Sequence, residues 1–330
     1  MMSHAIGETR QVTLQPSGQV LAVWPGETLL EAARREGLAV PQACPRGDCQ
    51  ACAALLVEGL VRQAGGERRQ GEVLACQAVP LGDCLLHWDE VLVQDGCPEQ
   101  MLDCQLVSCQ PLGGDVYQVI LRPLDGRLPR YFAGQYLQLQ REDGSYAAFS
   151  LASAPGRPEL ELHILAREGS SRLWPGYLQH QARIRVRLPF GDAHLARLPD
   201  GPLILVAAGT GMAQMQGLIE HCRAMHFAYP VHLYWGARQA GDFYRVSHWA
   251  AWQHWPGLTL HQVVSEGPGG EGRRGLLHEA ICEDFSDFRG LQVYASGSPA
   301  MVYATLDALV AAGMDARQMR ADVFAYAPRS

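Results

Sequence analysis

Four cysteines in the first third of the chain have the spacing of a metal-cluster site. Cys44, Cys49 and Cys52 are separated by four and then two residues, and Cys76 follows after a longer segment. In the pattern C-x4-C-x2-C…C, four thiolates hold a [2Fe–2S] cluster. Gly47 lets the loop backbone approach the inorganic sulfides, whose charge amide N–H groups stabilise. The spacing therefore predicts Cys44, Cys49, Cys52 and Cys76 as cluster ligands.

Other uses of these cysteines fit the sequence less well. A structural zinc site usually takes two C-x2-C pairs, and the sequence has one. A Rieske centre needs two histidine ligands, yet no histidine lies between His4 and His87. Disulfides would indicate an oxidising compartment, for which the sequence gives no other support. The remaining cysteines lack ligand spacing and are interpreted as buried or incidental thiols: Cys84, Cys97, Cys104, Cys109, Cys222 and Cys282.

Length and charge narrow the class of protein. At 330 residues the chain is long enough for two or three domains with their own cores. The net charge is −7, and no basic stripe is present, so we expect no nucleic-acid partner. The start of the sequence lacks the apolar core of a secretory signal, and no apolar run reaches the length of a membrane span. We therefore expect a cytoplasmic protein without a membrane partner.

Three segments differ in their patterns, and the first covers residues 1–96. Val12 and Leu14 alternate with polar neighbours before a turn at 16–18, which predicts a β-hairpin. Thr28 and Glu31 form a capping box in front of an amphipathic helix. The segment 65–71 lacks periodicity and is predicted to be a loop. Two strands, a helix and a cysteine-bearing loop resemble the β-grasp fold of plant-type ferredoxins.

The second predicted domain covers residues 97–200. Short strands with alternating apolar residues recur between turn signals, which is typical of a small antiparallel β-barrel. In the strand that begins at Leu160, the alternation assigns His163 to the polar face. In the segment 183–188, arginines alternate with apolar residues and are interpreted as a solvated strand face.

The third predicted domain covers residues 201–330. A continuous apolar run at 203–208, as expected for a buried parallel strand, leads into Gly209-Thr210-Gly211 and a helical pattern. Backbone amides and the helix dipole at such a turn can receive a pyrophosphate. Further apolar strands are each followed by helix-compatible segments, which predicts a doubly wound parallel sheet. The fold class is therefore multidomain, with α+β and α/β parts.

The segment Phe149-Ser150-Leu151-Ala152-Ser153 resembles the flavin-binding motif of the ferredoxin–NADP reductase superfamily, usually R-x-Y/F-S-x-x-S/T. The resemblance implies that Phe149 packs on the isoalloxazine and that the catalytic Ser150 contacts the ring near N5. A second family motif at 168–171 implies hydroxyls and amides that receive the FAD pyrophosphate. The flavin-binding residues implied in these two motifs are Phe149, Ser150, Ser153, Gly169, Ser170 and Ser171.

One departure from the flavin motif concerns the phosphate contact. Ala147 stands where the family has the arginine that grips the flavin phosphates, so we expect FAD to be held loosely unless Arg167 or Arg172 compensates. Near the C-terminus, Asp322-Val323-Phe324 resembles the D-A-F ending of flavin reductases. This implies that Phe324 shields the flavin, with a terminal core aromatic as the open alternative.

The third domain resembles the NAD(P) domain of the same superfamily. Gly209-Thr210-Gly211 matches the G-T-G-x-x-P turn, with Gln214 in place of proline, and 234–244 matches Y-G-x-R…D-L-Y. Ser296-Gly297-Ser298-Pro299 matches C-G-P-P, so a serine replaces the cysteine near the nicotinamide. NADH is expected, and NADPH stays open because Arg238 and Arg245 are candidates for contact with a 2′-phosphate. The implied NAD(P) residues are Gly209, Thr210, Gly211, Arg238, Ser296 and Gly297, with Ser296 also catalytic.

The order of domains resembles that of iron–sulfur flavoprotein reductases, including reductase components of aromatic-ring dioxygenases and soluble monooxygenases and the reductase of the CDP-ascarylose deoxysugar dehydrase. The resemblance implies an electron-transfer enzyme that carries electrons from NADH through FAD and a [2Fe–2S] cluster to a separate acceptor protein. Two alternatives stay open: an NAD(P)H:flavin oxidoreductase that reduces free flavin, and a redox sensor without enzymatic turnover.

Overall fold

The computed structural model describes residues 9–15, 17–36, 38–39, 52–88, 92–93, 97, 99–167, 174–266 and 272–329. The chain divides into two compact units, Met1–Cys97 and Pro98–Ser330. The second unit contains both the barrel and the parallel sheet. The domain boundaries at 96/97 and 200/201 stay predictions.

The first unit is a sheet crossed by a short helix. Its largest sheet has the strand order β2-β1-β9-β4-β7, in which β1 and β9 are parallel and the other neighbours antiparallel. The predicted β-grasp fold is confirmed. The described elements are β1 (Arg10–Gln15), β2 (Val20–Val23), α1 (Leu29–Arg35), β3 (Leu38–Ala39), β4 (Ala53–Glu58), β5 (Val61–Gln63), β6 (Gly66–Arg68), β7 (Gly71–Leu74), β8 (Val79–Pro80), β9 (Cys84–His87) and β10 (Leu92–Val93).

Alternate strand residues and one face of α1 build the core of the first unit. Val12, Leu14 and Leu86 are fully buried from the sheet, and Leu29 is fully buried from the helix. The predicted capping box is present: the Thr28 N–H donates to Glu31 at 2.9 Å, and the Glu31 N–H donates back to the Thr28 hydroxyl at 3.3 Å. These reciprocal bonds satisfy amides that the first helical turn leaves unpaired.

The prediction of a loop over 65–71 is wrong in part. Residues Gly66–Arg68 form β6, which pairs with β5 as an antiparallel hairpin, and Gly71 begins β7. The side chains of β6 are all exposed, so the strand has no buried face and leaves no hydrophobic alternation in the sequence. Gly65 and Gly66 adopt φ values of +98° and +116°, which a tight turn requires and glycine allows.

The second unit begins with a six-stranded antiparallel sheet in the order β14-β13-β16-β11-β12-β15. An additional bridge between Leu151 and Leu162 joins its two edges, so the sheet curls into the predicted barrel. Trp174 and Leu178, from the helix that follows β15, are buried in its core. The elements are β11 (Gln100–Gly113), β12 (Val116–Pro123), β13 (Tyr136–Gln140), β14 (Tyr146–Ser150), β15 (Leu160–Leu165), α2 (Trp174–His180) and β16 (Ile184–Phe190).

Two predictions about barrel side chains have different outcomes. The alternating arginines of β16 are partly exposed and pair with acidic residues in or just before the neighbouring strand β11, as Arg185 does with Asp103 at 2.9 Å. This confirms a solvated face. The assignment of His163 to a polar face is wrong, because its side chain is buried. Both faces of β15 are covered, since the face that carries His163 packs against the parallel-sheet part of the unit.

The remainder of the second unit is a parallel sheet in the order β20-β19-β18-β17-β21-β22. Helices follow several of its strands, which confirms the predicted doubly wound fold. The elements are β17 (Leu203–Ala208), α3 (Met212–Ala224), β18 (Val231–Ala237), α4 (Trp249–Gln253), β19 (Leu258–Val264), β20 (Arg273–Arg274), α5 (Leu277–Asp284), β21 (Gln292–Ser296), α6 (Pro299–Ala311), β22 (Met319–Arg320) and α7 (Val323–Tyr326).

Residues of β17 alternate between two hydrophobic cores. Leu205 packs with α3 residues such as Leu218 on one face, and Val206 packs with Ile281 of α5 and Val302 of α6 on the other. Because β18 lies on one side of β17 and β21 on the other, the strand order reverses at β17. Ligands of open α/β sheets bind beyond the carboxyl ends of the strands at such a point.

Within the described part of the chain, we find no helix whose length and apolar composition would let it span a membrane.

Candidate functional site

Two of the four predicted cluster ligands lie within the described residues. Cys52 directly precedes β4 and Cys76 follows β7, and these strands pair with Ala53 opposite Leu74. The Ala75 N–H donates to the Cys52 carbonyl at 3.0 Å, so both cysteines lie at the same end of the strand pair. Cys52 is a buried free thiol, and Cys76 packs half-buried against the core. Cys44 and Cys49 lie outside the described residues.

This arrangement fits the donor set of a [2Fe–2S] cluster. The cluster requires soft thiolates that converge on one point, and two cysteines are held at one strand end by backbone hydrogen bonds rather than by their own flexible side chains. The hydrogen-bonded strand pair fixes the spacing of Cys52 and Cys76 before any metal binds.

A cavity of about 390 Å³ lies where the barrel meets the parallel sheet. The carboxyl ends of β14 and β21 deliver residues that are far apart in the sequence to its walls. It therefore brings together the two residues predicted as catalytic, Ser150 and Ser296. Its lining includes Tyr136, Phe149, Ser150, Ser296, Gly297 and Asp322.

The aromatic walls of this cavity suit a flat ring system. The Phe149 ring stands edge-on to Trp174 with centres 5.3 Å apart, and the Tyr136 ring stacks on Phe190 with centres 5.7 Å apart. These contacts fix both rings before a ligand enters. The size lies within the range of small-molecule sites, and hydroxyls accompany the aromatic surface. The residues therefore fit the isoalloxazine of a flavin.

Other predicted flavin residues have different positions. The Ser153 hydroxyl lies 2.9 Å from the Tyr131 hydroxyl and accepts from the Glu161 N–H at 3.1 Å, so it stabilises the strand that carries Ser150. Arg167 donates to Asp115 at 3.3 Å with both side chains at least half exposed. Three predicted residues and Arg172 lie outside the described residues: Gly169, Ser170 and Ser171.

The C-terminal helix carries two aromatic residues, Phe324 and Tyr326, in different surroundings. Phe324 packs against Tyr303 of α6, with ring centres 5.5 Å apart, and is half-buried in that core. Tyr326, two residues further on, lines the flavin-sized cavity. Phe324 therefore lies among core residues, which is the alternative that the sequence leaves open, and its contact with a flavin stays a prediction.

Asp322 is a site residue that the sequence reasoning did not select. Its carboxylate accepts from the Ala193 N–H at 3.2 Å and from the Gln214 amide at 3.3 Å. Burial raises its pKa to about 6, and the nearby Asp192 adds to the rise. Gln214, which replaces the family's proline, also donates to the Gly134 carbonyl at 2.7 Å and so links α3 to the barrel. The departure at Gln214 was the sequence signal for this contact.

A second cavity of about 450 Å³ follows the carboxyl edge of the parallel sheet. We call it the nucleotide groove. It lies at the point where the strand order reverses and brings together several predicted NAD(P) residues. Its lining includes Gly209, Thr210, Trp235, Arg238, Tyr244 and Ser298.

The turn after β17 can exist only with glycine at its tightest point. A Cβ on Gly211 would lie 2.1 Å from the Ser296 carbonyl oxygen, so this turn packs directly on the loop after β21. Ser296, the last residue of β21, and Gly297 line the flavin-sized cavity, whereas Ser298 lines the nucleotide groove and caps α6 by accepting from the Met301 N–H. One loop therefore borders both cavities.

Arg238 does not face the groove as an unpaired charge. Its guanidinium donates two hydrogen bonds to the Glu266 carboxylate, both at 3.0 Å. The two side chains are exposed by 77% and 50%, so water screens the pair. Asp242 contributes a further carboxylate to the lining. Glu266 and Asp242 therefore place two carboxylates near the Arg238 guanidinium, while Arg167 adds a second arginine to the groove lining.

Comparisons with known proteins agree with this architecture. Residues 12–81 match the 2Fe-2S iron-sulfur cluster binding domain, and residues 205–307 match the oxidoreductase NAD-binding domain. The chain is 30% identical to the ferredoxin–NAD(P)⁺ reductase component of the naphthalene 1,2-dioxygenase system of Pseudomonas putida, over 95% of this chain and 98% of that protein. It is 32% identical to the reductase subunit of an Amycolatopsis aromatic O-demethylase, over 91% and 94%.

Solved structures show the same likeness. The crystal structure of an Amycolatopsis cytochrome P450 reductase matches with a TM-score of 0.63 and 30% identity, over 95% of this chain and 98% of that one. The ferredoxin reductase of carbazole 1,9a-dioxygenase matches with a TM-score of 0.59 at 22% identity, over 96% and 98%, which supports the fold.

The chain belongs to the family of NAD(P)H-dependent iron–sulfur flavoprotein reductases. It is an oxidoreductase that joins a 2Fe-2S ferredoxin domain to a flavin- and NAD-binding reductase part, and its cofactors are a [2Fe–2S] cluster, FAD and a nicotinamide nucleotide. The predicted class of protein, its fold and its cofactors are confirmed.

Proposed function

We propose that this chain oxidises NADH and delivers the electrons one at a time to a separate acceptor protein. The observation that carries the proposal is the end of β21 with the loop after it, which borders the flavin-sized cavity with Ser296 and the nucleotide groove with Ser298. A nucleotide in the groove and a flavin in the cavity would meet at this loop. Bound FAD would supply exchange between two-electron and one-electron chemistry, and a [2Fe–2S] cluster would supply one-electron carriage.

The residues of the chain have positioning roles in this scheme. Phe149 and Tyr136 would hold a flat ring between fixed aromatic walls, and Ser150 would place a hydroxyl at the ring edge. Ser296 would contact the nicotinamide from the opposite wall. The glycine turn 209–211 would place backbone amides at a pyrophosphate, next to the start of α3. Cys44, Cys49, Cys52 and Cys76 would hold the cluster.

Charge at the groove rim supports NADH rather than NADPH. Arg238 is the groove arginine that the family motif places near the nucleotide, but Glu266 occupies its guanidinium with two hydrogen bonds. A ribose 2′-phosphate would have to compete with that carboxylate and lie near Asp242. A ribose 2′-hydroxyl carries no charge and has no such conflict.

The acceptor that we propose is an oxygenase or dehydrase component. Relatives of similar length are named as reductase components of naphthalene dioxygenase, an aromatic O-demethylase and a CDP-hexulose dehydrase, the last from Yersinia pestis at 28% identity. Each of these names describes a reductase that serves a separate dioxygenase, demethylase or dehydrase. We therefore expect a protein acceptor rather than a small oxidisable substrate.

Steady-state turnover with two artificial acceptors tests the proposal. The purified protein with bound cofactors is expected to oxidise NADH with either cytochrome c or ferricyanide as acceptor, and to use NADPH less efficiently. Failure to oxidise either nucleotide with both acceptors, in protein shown to contain flavin and cluster, would contradict it.

Ala147 favours a second candidate, the reduction of free flavin. It lies in β14 opposite Leu139, where the family's phosphate-binding arginine would stand. Loss of a charge-assisted hydrogen bond would weaken FAD binding by roughly 10- to 100-fold. Equilibrium dialysis separates the two functions: retention of FAD at micromolar protein supports the relay, whereas ready loss of FAD with turnover restored by added riboflavin supports the alternative.

A further inference from the structure

A buried hydrogen-bonded chain crosses between the barrel and the parallel sheet. The His163 ring lies between two partners: its Nδ1 is 2.9 Å from the Tyr244 hydroxyl, and its Nε2 is 3.1 Å from Glu161 Oε1. The side chains of His163 and Glu161 are exposed by 1% and 11%. These polar groups have no role in the proposed contacts with flavin or nucleotide.

The charge of Glu161 sets the direction of its hydrogen bond with His163. Burial alone would raise the pKa of Glu161, but the hydrogen bond and the coulombic attraction from His163, together with a hydrogen bond from Gln118 at 2.6 Å, outweigh it and hold the pKa at about 2. An ionised carboxylate only accepts, so His163 donates its Nε2–H to Glu161. The Nδ1 atom of the same ring is then left for the Tyr244 hydroxyl, 2.9 Å away.

One end of this series of hydrogen bonds, Tyr244, is part of the nucleotide groove. Tyr244 lines the groove, and its ring stands edge-on to Trp235, another lining residue, with centres 5.2 Å apart. The Tyr244 side chain is almost fully buried, and its hydroxyl bonds to His163. The position of this groove wall therefore depends on His163.

The other end is attached to the strand segment that carries Phe149 and Ser150. The Glu161 carbonyl accepts from the Ala152 N–H at 2.8 Å, and the Glu161 N–H donates to the Ser153 hydroxyl at 3.1 Å. A parallel link comes from α3, where the Gln216 amide donates to the Ala152 carbonyl at 3.2 Å. Elements of the nucleotide groove thus have two buried polar contacts with one segment of the flavin barrel.

A contribution to folding stability does not by itself account for these buried hydrogen bonds. A buried charge and its partners are often no more stabilising than apolar residues of the same shape, and the best-attested use of such groups is to fix one register between packed elements. Two apolar surfaces can slide slightly against each other. A hydrogen bond restricts both the distance and the angle between its two partners.

We propose that Glu161 and His163 are positioning residues that hold Tyr244, and with it the wall of the nucleotide groove, at a fixed place relative to the flavin-bearing segment 149–153. The inference rests on the proposed binding of NADH in this groove. It assigns to His163 a role in nucleotide affinity although His163 does not line the groove.

Two substitutions of His163 separate its two hydrogen bonds. The side-chain amide of asparagine occupies the place of Nδ1, so His163→Asn keeps a hydrogen-bond partner for Tyr244 and gives up the bond to Glu161. The amide of glutamine occupies the place of Nε2, so His163→Gln keeps the bond to Glu161 and gives up the partner for Tyr244. Each variant loses one buried hydrogen bond, so a purely structural role predicts similar losses of nucleotide affinity.

The measurement is the dissociation constant for NAD⁺, determined by calorimetry on the full-length protein with its cofactors. We expect about 5- to 20-fold weaker binding in His163→Gln and less than about 3-fold in His163→Asn, since only the former leaves the buried Tyr244 hydroxyl without its hydrogen-bond partner. His180→Asn, an exposed histidine of α2, is the matched control and should bind NAD⁺ like the wild type. Equal affinities of the two His163 variants would overturn the inference.

A third variant keeps the test decisive if either His163 variant does not fold. Tyr244→Phe removes only the hydroxyl, and we expect the same weakening of NAD⁺ binding as in His163→Gln, with no further loss in the double variant. Wild-type affinity in Tyr244→Phe would overturn the inference. Failure of the wild-type protein to bind any pyridine nucleotide would instead contradict the proposed function.

Discussion

The predicted cluster site and the flavin–nucleotide site are built in different ways. In the first unit, Cys52 and Cys76 flank one pair of antiparallel strands, and Cys44 and Cys49 shortly precede Cys52 in the sequence. In the second unit, one cavity takes its walls from the end of β14, the end of β21 and the helix α7. The first site depends on local backbone geometry, and the second depends on how two sheets pack.

This difference determines how each site should respond to change. A substitution at a cluster ligand should remove one-electron carriage and leave the second unit intact. A substitution between the barrel and the parallel sheet should disturb flavin and nucleotide together, because one loop borders both cavities.

The largest effect is expected from Cys52→Ser. Loss of one of four thiolates should abolish cluster binding, so reduction of cytochrome c should fall at least about 100-fold while reduction of ferricyanide continues. Steady-state assays with both acceptors measure the split. Cys84→Ser is the matched control, because Cys84 is another buried thiol of the same unit and has no predicted ligand role. Equal loss of both activities in Cys52→Ser would contradict a local cluster site.

Gly211→Ala should act on both cavities of the second unit. The added methyl group would meet the Ser296 carbonyl oxygen at 2.1 Å, so the turn and the loop must separate. We expect at least about 10-fold weaker NAD⁺ binding and a changed flavin absorption spectrum, since overpacking of this kind costs roughly 1–3 kcal/mol. Gly241→Ala, where a Cβ meets nothing within 4 Å, is the control. An unchanged flavin spectrum in Gly211→Ala would contradict the expectation that one substitution disturbs both cavities.

Asp322 should make the stability of the second unit depend on pH. Its pKa in the folded protein is raised to about 6, so its favourable contribution is present below the unfolded pKa and is lost as pH rises through 6. Relative to Asp322→Asn, the wild type should lose on the order of 1–3 kcal/mol of unfolding free energy between about pH 4 and pH 7. Denaturant titrations of both apoproteins across this window measure it. A pH-independent difference would contradict the buried environment of Asp322.

The smallest effect is expected at the groove rim. Glu266→Gln should release Arg238 and reduce the negative charge, so the preference for NADH over NADPH should fall about 3- to 10-fold, as suits a screened surface pair. The ratio of kcat/KM for the two nucleotides is the readout. Glu283→Gln, which alters an exposed ion pair with Arg273 outside the groove lining, is the control. An unchanged ratio in Glu266→Gln would exclude the Arg238–Glu266 pair as the basis of the preference.

The cluster site can be predicted from residue spacing alone, whereas the flavin–nucleotide site cannot. The cysteine spacing points to a cluster by itself, because three ligands share one short segment. No spacing joins Ser150 to Ser296, so their meeting was expected only from resemblance to a known superfamily.

Residues at packed interfaces were the hardest to predict. Alternation places His163 on a polar face, but that face is covered by residues such as Tyr244, which follows β18, and a pattern within one strand carries no information about what packs on it. Asp322 and Tyr326 were missed in the same way, since their surroundings come from the barrel and from β21. The short strand β6 was missed because none of its side chains is buried.

The most direct test of the relay is an anaerobic titration of the cofactor-loaded protein with NADH, followed by visible absorption. Because FAD stores two electrons and the cluster one, both absorptions should be bleached by about 1.5 equivalents of NADH per chain. The Cys52→Ser protein supplies the reference for flavin alone. Bleaching of the flavin with a cluster that stays oxidised would contradict the account, because the two sites would then not exchange electrons.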